Sequence, residues 1–271
     1  MSDLIPYFQK TGQGQPLFIL HGLYGSGDNW LTIAKELSSF CEVYMVDQRN
    51  HGKSFHSEIH DYPSMAGDLK RLMDHLEIGK AAILGHSMGG KTAMRFGAEN
   101  QDRVTRLIIA DISPRTYSDH PSDIRQARFH ETILRSLSSI DLQNVTSLGD
   151  VDAILKETIP DKQLRQFLLK NLDRNRDTGF RWKLNLEVLL KSITNLNAGM
   201  ESYIQTGISF TQFPTLFIRG EQSDYIREPD LTLIHQLYPL AQVTTIKNAG
   251  HWLHAQQPAL FISVVKRFLL S

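Results

Sequence analysis

Residues 84–90 read LGHSMGG. A serine, Ser87, sits between glycines and beside a histidine. KAAIL, a short apolar run, precedes the stretch, and KTAMRFGAEN, a helical pattern, follows it. The pattern G-x-S-x-G is weak alone. A strand before it and a helix after it make it a nucleophile elbow. The glycines have a physical reason, since a tight strand–turn–helix leaves no room for Cβ atoms near the serine. The turn also sets Ser87 at a helix N-terminus, where N–H groups and the dipole favour negative charge. The bland alternative is a glycine-rich turn that only packs helix on strand.

Outward from Ser87, apolar runs alternate with helical patterns. The runs are PLFIL (16–20), VYMV (43–46), AAIL (81–84), LIIA (107–110), TLFI (215–218) and VTTI (243–246). Short runs that are apolar on both faces suit buried strands of a parallel sheet. Leu69, Leu72, Met73 and Leu76 form one helix face, with Pro63 in the first turn. Ala93, Phe96 and Gly97 continue a similar face after Ser87. Leu260, Val264 and Phe268 are expected to face inward from a closing helix. The class is α/β with a mostly parallel sheet.

Residues 114–205 break the alternation. SDIRQARFHETILRSL, DVDAILKETI, DKQLRQFLLKNL and LNLEVLLKSITNL read as helices, and GFRWKLN (179–185) as an extended excursion. The expectation is a core of 1–113 and 206–271 with a helical cap inserted between two core strands. Phe129, Phe167 and Trp182 are candidates for the lining of a pocket beneath it, though such residues more often form the cap's own core.

Composition bounds the rest. The chain has 271 residues, 41% hydrophobic and 21% charged, which is ordinary globular usage. Lys+Arg and Asp+Glu balance at 29 each, so charge gives no argument for nucleic acid or an anionic membrane. Cys41 is the single cysteine; it reads as a buried strand residue and a reducing compartment is expected. MSDLIPYFQKTGQGQ has no basic-then-apolar leader pattern, and no run is long enough to span a bilayer. Expected is a cytoplasmic protein without membrane insertion. No H-E-x-x-H, paired cysteines or G-x-G-x-x-G after the first strand appears, so neither metal nor dinucleotide is implied. Oligomeric state is not legible.

Polar and glycine-rich residues cluster where the strands end: His21-Gly22, Asp47, Ser87, Asp111, Asp224 and His251. In an open α/β sheet the ligand crevice lies at those ends. A serine hydroxyl needs a base. His251, after the last strand run and before the final helix, is in the expected place; His254 and His86 are its competitors. The acid that orients the histidine is either Asp224 in GEQSDY or Asp111 in LIIADISP. Two N–H donors must hold the oxyanion, and Met88 and Leu23 are the candidates. DQRNHGKS (47–54) reads mainly as a structural turn whose side chains satisfy backbone groups.

The set H-G-x-x-G, D-x-R-x-H-G-x-S, G-H-S-M-G-G-K, D-I-S-P and G-H-W-x-H-A resembles the α/β-hydrolases along nearly the whole chain. It is similar in detail to the bacterial YbfF-like serine esterases and their mitochondrial abhydrolase relatives. The resemblance implies a cofactor-free esterase or thioesterase with a helical cap, acting on a small-molecule ester or thioester. It also implies that the acid lies in the D-I-x-P turn, here Asp111, with a serine in the later loop, here Ser223, as accessory partner. Asp224 remains the fallback. C–C hydrolases, lyases and perhydrolases use the same three residues, and some proteins of this fold are small-molecule receptors.

Overall fold

The computed structural model describes residues 4–118, 120–175 and 179–271. Nine strands are present among them: β1 Phe8–Gly12, β2 Gln15–Leu20, β3 Cys41–Val46, β4 Ala81–His86, β5 Val104–Ala110, β6 Leu172–Asn175, β7 Gly179–Trp182, β8 Thr215–Gly220 and β9 Gln242–Ile246. The helices are α1 Leu31–Leu37, α2 Tyr62–His75, α3 Met88–Glu99, α4 Pro121–Ser138, α5 Leu148–Lys156, α6 Lys162–Leu169, α7 Leu186–Lys191, α8 Ile193–Leu196, α9 Glu201–Gln205, α10 Asp230–Leu237, α11 Leu253–Gln256 and α12 Pro258–Leu269.

Seven strands form one sheet in the order β1-β3-β2-β4-β5-β8-β9. All pairs are parallel except β1 with β3. All six expected apolar runs lie in this sheet. β1 is additional: FQKTG is an edge strand that is only half-buried, so it carries no apolar run to signal it. Alternation along β2 sends Phe18 and Leu20 to one face and Leu17 and Ile19 to the other. The first face is covered by α2 and α3 through Leu69, Leu72, Met73, Ala93 and Phe96. The second is covered by α1 and α12 through Ile33, Ala34, Leu37, Phe261, Val265 and Phe268. The inward stripe of α12 therefore corrects the expected one: Leu260 is 49% exposed, and Phe261 and Val265 point inward. Both stripes have helical spacing and share Phe268; the larger Phe261 takes the core side.

Helices α4–α9 lie between β5 and β8, as an inserted segment; α4–α7 build an apolar cluster with Ile133, Leu137, Leu155, Leu168, Phe180 and Leu189 that also takes in Tyr24 of the loop after β2, while Tyr203 and Ile204 of α9 pack on the core. GFRWKLN begins as an extended strand, β7, which pairs antiparallel with β6. Leu172, expected at the end of a helical stretch, belongs instead to β6; the helix stops at Leu169 because hairpin pairing takes over the backbone. Among the described residues, no helix is long and apolar enough to cross a membrane.

Candidate active site

Between β4 and α3 the chain turns on one residue, Ser87, at φ 54° and ψ −119°. Such a conformation costs on the order of 1–3 kcal/mol outside glycine and persists only where neighbours enforce it. Here the Ser87 N–H donates to the Ala110 carbonyl at 3.0 Å, and the Ser87 carbonyl accepts from Gly90 N–H at 2.9 Å. A Cβ on Gly85 would collide with the Gly89 carbonyl, and one on Gly89 with the Leu20 carbonyl. The glycines of the motif are thus required by the close approach of three backbone segments.

Ser87 Oγ lies 3.0 Å from His251 Nε2. His251 Nδ1 lies 2.9 Å from Asp111 Oδ2. A carboxylate only accepts, so Nδ1 carries the proton and Nε2 is free to accept from the Ser87 hydroxyl. Asp111 is fully buried. Its Oδ1 accepts from Gly220 N–H at 2.9 Å, and Ser223 Oγ–H donates to its Oδ2. Asp224, one residue on, is exposed to solvent. The loops after β4, β5, β8 and β9 meet here because β4, β5, β8 and β9 are successive neighbours in the sheet.

The loop after β2 supplies the opposite wall. A turn closes it, with Gly25 N–H donating to the Gly22 carbonyl at 2.9 Å. His21 fixes its base: Nε2 accepts from Gln48 N–H at 3.0 Å, and the His21 carbonyl accepts from Gln48 Nε2 at 2.7 Å. Leu23 stands in the cavity wall with Ser87. Met88 opens α3, so its N–H has no carbonyl a turn back within the helix. DQRNHGKS does the work of a turn: Asp47 accepts from Gly27 N–H at 2.6 Å and Lys53 N–H at 2.8 Å, and Arg49 pairs with buried Asp68.

Two cavities meet at Ser87. The first has an apolar wall with Phe129, Ile133, Leu164, Phe167 and Trp252, and a volume of about 30 Å³. The second, about 50 Å³, is lined by Tyr62, Met88, Tyr117, Gln126 and Asn197. It shares Tyr117, Ala127 and Asn197 with a surface cleft of about 550 Å³. Phe129 and Phe167 thus reach the site, whereas Trp182 packs within the inserted segment.

The sequence profile described as alpha/beta hydrolase fold matches residues 15–258. This chain belongs to that family. As a family member it is 36% identical to the sn-1-specific diacylglycerol lipase ABHD11 of Danio rerio, over 97% of this chain and 80% of that one. It is 31% identical to esterase YbfF of Escherichia coli K12, over 96% of this chain and 95% of that one. A solved structure, a marine microorganism esterase, superposes with a TM-score of 0.91 at 45% identity, covering 98% of this chain and 99% of that one.

In this α/β-hydrolase two residues near Ser87, Tyr225 and His130, are not marked by any motif, and the two rival histidines, His86 and His254, have other partners. The Tyr225 ring stacks on His251 at 3.8 Å between centroids. His86 turns away from Ser87, and its Nε2–H donates to the His251 carbonyl at 2.8 Å. His254 stacks on Trp30 at 4.3 Å. Burial holds His86 well below the usual imidazole range and His254 down at about 3, so neither competes with His251 as a proton acceptor near neutrality. His130, from α4, lines both cavities. Tyr225 and His130 lie in no recognisable spacing; only the fold assembles them.

Proposed function

We propose that this carboxylic ester hydrolase works through an acyl-enzyme on Ser87, on a small-molecule ester or thioester. The observation that carries the reading is the unbroken line from Asp111 through His251 to Ser87, with Ser87 held on the elbow. Ser87 Oγ attacks the acyl carbon as its proton passes to His251 Nε2. Asp111 stabilises the imidazolium and keeps it oriented. The N–H groups of Leu23 and Met88 hold the oxyanion. His251 then protonates the leaving oxygen or sulfur. Water, deprotonated by His251, attacks the acyl-enzyme; the carboxylic acid leaves and Ser87 regains its proton. No cofactor takes part in these steps.

Residues 114–205 act as the cap. The apolar cavity beside Ser87 has room for little more than one or two waters, so it favours short acyl groups. A cytoplasmic setting accords with Cys41, a buried free thiol whose pKa burial raises to about 11.

The test is hydrolysis of p-nitrophenyl esters of increasing acyl length by wild type and Ser87→Ala. Turnover should peak at acetate to butyrate and fall by on the order of 10⁴-fold or more in the variant. Undiminished turnover in Ser87→Ala would remove Ser87 from the mechanism. An optimum at long chains would overturn the assignment of the narrow cavity.

A further inference from the structure

His130 belongs to the inserted segment, yet it touches the loops after β2 and β8, which flank the reacting groups. Its Nδ1 lies 3.2 Å from the hydroxyl of Tyr24, which also donates to the His130 carbonyl at 3.2 Å. Its Nε2 lies 3.3 Å from the hydroxyl of Tyr225. Tyr24 follows Leu23 in the loop after β2 and sits at φ 65°. Tyr225 lies in the loop after β8, and its ring is stacked on His251 with 21° between planes. Tyr225 N–H in turn donates to Ser223 Oγ at 3.3 Å, and Ser223 bonds Asp111. One imidazole from α4 thus bridges the loop of a proposed oxyanion donor and the loop whose Tyr225 stacks on the base.

The chemistry of the bridge suits an uncharged ring. A neutral imidazole presents one donor and one acceptor, and a tyrosine hydroxyl can answer either. Burial pulls the His130 pKa down to about 4, so the ring is uncharged near neutrality. A charged ring would face two hydroxyls and the His251 imidazole with no carboxylate partner among its hydrogen bonds.

We propose that His130 is a positioning residue: through Tyr24 and Tyr225 it locks the Leu23 loop and the His251 ring in reacting geometry. The cap then contributes to the chemical step as well as to the shape of the cavity. The inference rests on the Ser87 hydrolase reading.

The experiment compares wild type, His130→Ala, His130→Gln, Tyr225→Phe and the His130→Ala/Tyr225→Phe double variant on p-nitrophenyl acetate. That ester has almost no acyl chain to touch the cap wall. Tyr225→Phe keeps the stacked ring and deletes only the hydroxyl. The expected result is a fall in kcat of about 10- to 100-fold in His130→Ala and Tyr225→Phe, with KM within about twofold. The double variant should fall no further than the more impaired of the two single variants, because the two groups act as one unit. His130→Gln, which keeps a donor and an acceptor, should restore most of the loss. Unchanged kcat on acetate, with only KM or chain-length preference altered, would overturn the proposal and leave His130 a wall residue. If His130→Ala does not fold, Tyr225→Phe and His130→Gln decide the matter alone. Wild type that hydrolyses no ester would instead bring down the hydrolase reading, and the proposal with it.

Discussion

Asp111 Oδ2 faces two donors, His251 Nδ1–H and Ser223 Oγ–H, while Oδ1 holds the Gly220 N–H. An amide at this position would turn an N–H₂ toward one donor pair and favour the wrong histidine tautomer. Asp111→Asn should therefore lower kcat by about 10³- to 10⁴-fold with little change in KM. Asp224→Asn, at an exposed position, should stay within about twofold of wild type. Equal losses in the two variants, measured on one ester, would contradict the assignment. Spacing narrowed the acid to these two loops and could go no further, because both follow strands that end at the same sheet edge. What separates them is conformation. Asp111 takes φ 52°, which only the folded turn dictates, and its side chain lies buried under His251. That Ser87 and His251 would meet was legible because strand-turn-helix context and chain order constrain them; the approach of Tyr225 and His130 was not, because stacking across loops leaves no spacing to read.

The inserted segment joins the core at both of its ends through one side chain. Lys91, buried in α3, donates to the Arg115 carbonyl and, at 2.9 Å, to the Ala198 carbonyl. Its ammonium also lies 5.0 Å from the Tyr117 ring centroid. Burial pulls its pKa down to about 7 from the ordinary lysine value. Between pH 7 and 10 the unfolded chain then binds the extra proton, so folding stability rises with pH over that window. Below pH 7 both states are charged and the penalty is constant. Urea unfolding should show wild type gaining on the order of 2 kcal/mol from pH 7 to 9 relative to Lys91→Met. Parallel pH dependence in the two proteins would refute this role for Lys91. At this scale the sequence announced the elements that bury apolar stripes, such as α2 and α3. It was silent on β1 and ran a helix into the start of β6, two strands whose pairing rests on backbone hydrogen bonds with few apolar side chains, and it misphased α12, where two stripes share Phe268.

Across the whole molecule, imidazoles are concentrated inside. Burial lowers the pKa values of His21, His51, His60, His86, His130 and His254, with His60 and His254 at about 3 and His130 at about 4. Unfolding exposes these rings to water, where each titrates near 6.5. Below that pH the unfolded chain binds more protons than the folded one, so stability increases with pH. The contribution is complete above about pH 6.5 and is lost progressively as pH falls toward the folded values. Global charge repulsion adds little to this loss, since acidic and basic residues balance at 29 each. The melting temperature should therefore drop steeply below pH 6, while between pH 7 and 8 these rings add nothing to the rise that Lys91 brings. Calorimetric unfolding at pH 5.5, in two buffers of different ionisation heat, should register an uptake of about two to five protons. An uptake below one proton would mean that these rings are already charged in the folded protein, and the neutral bridge at His130 would lose its basis with them.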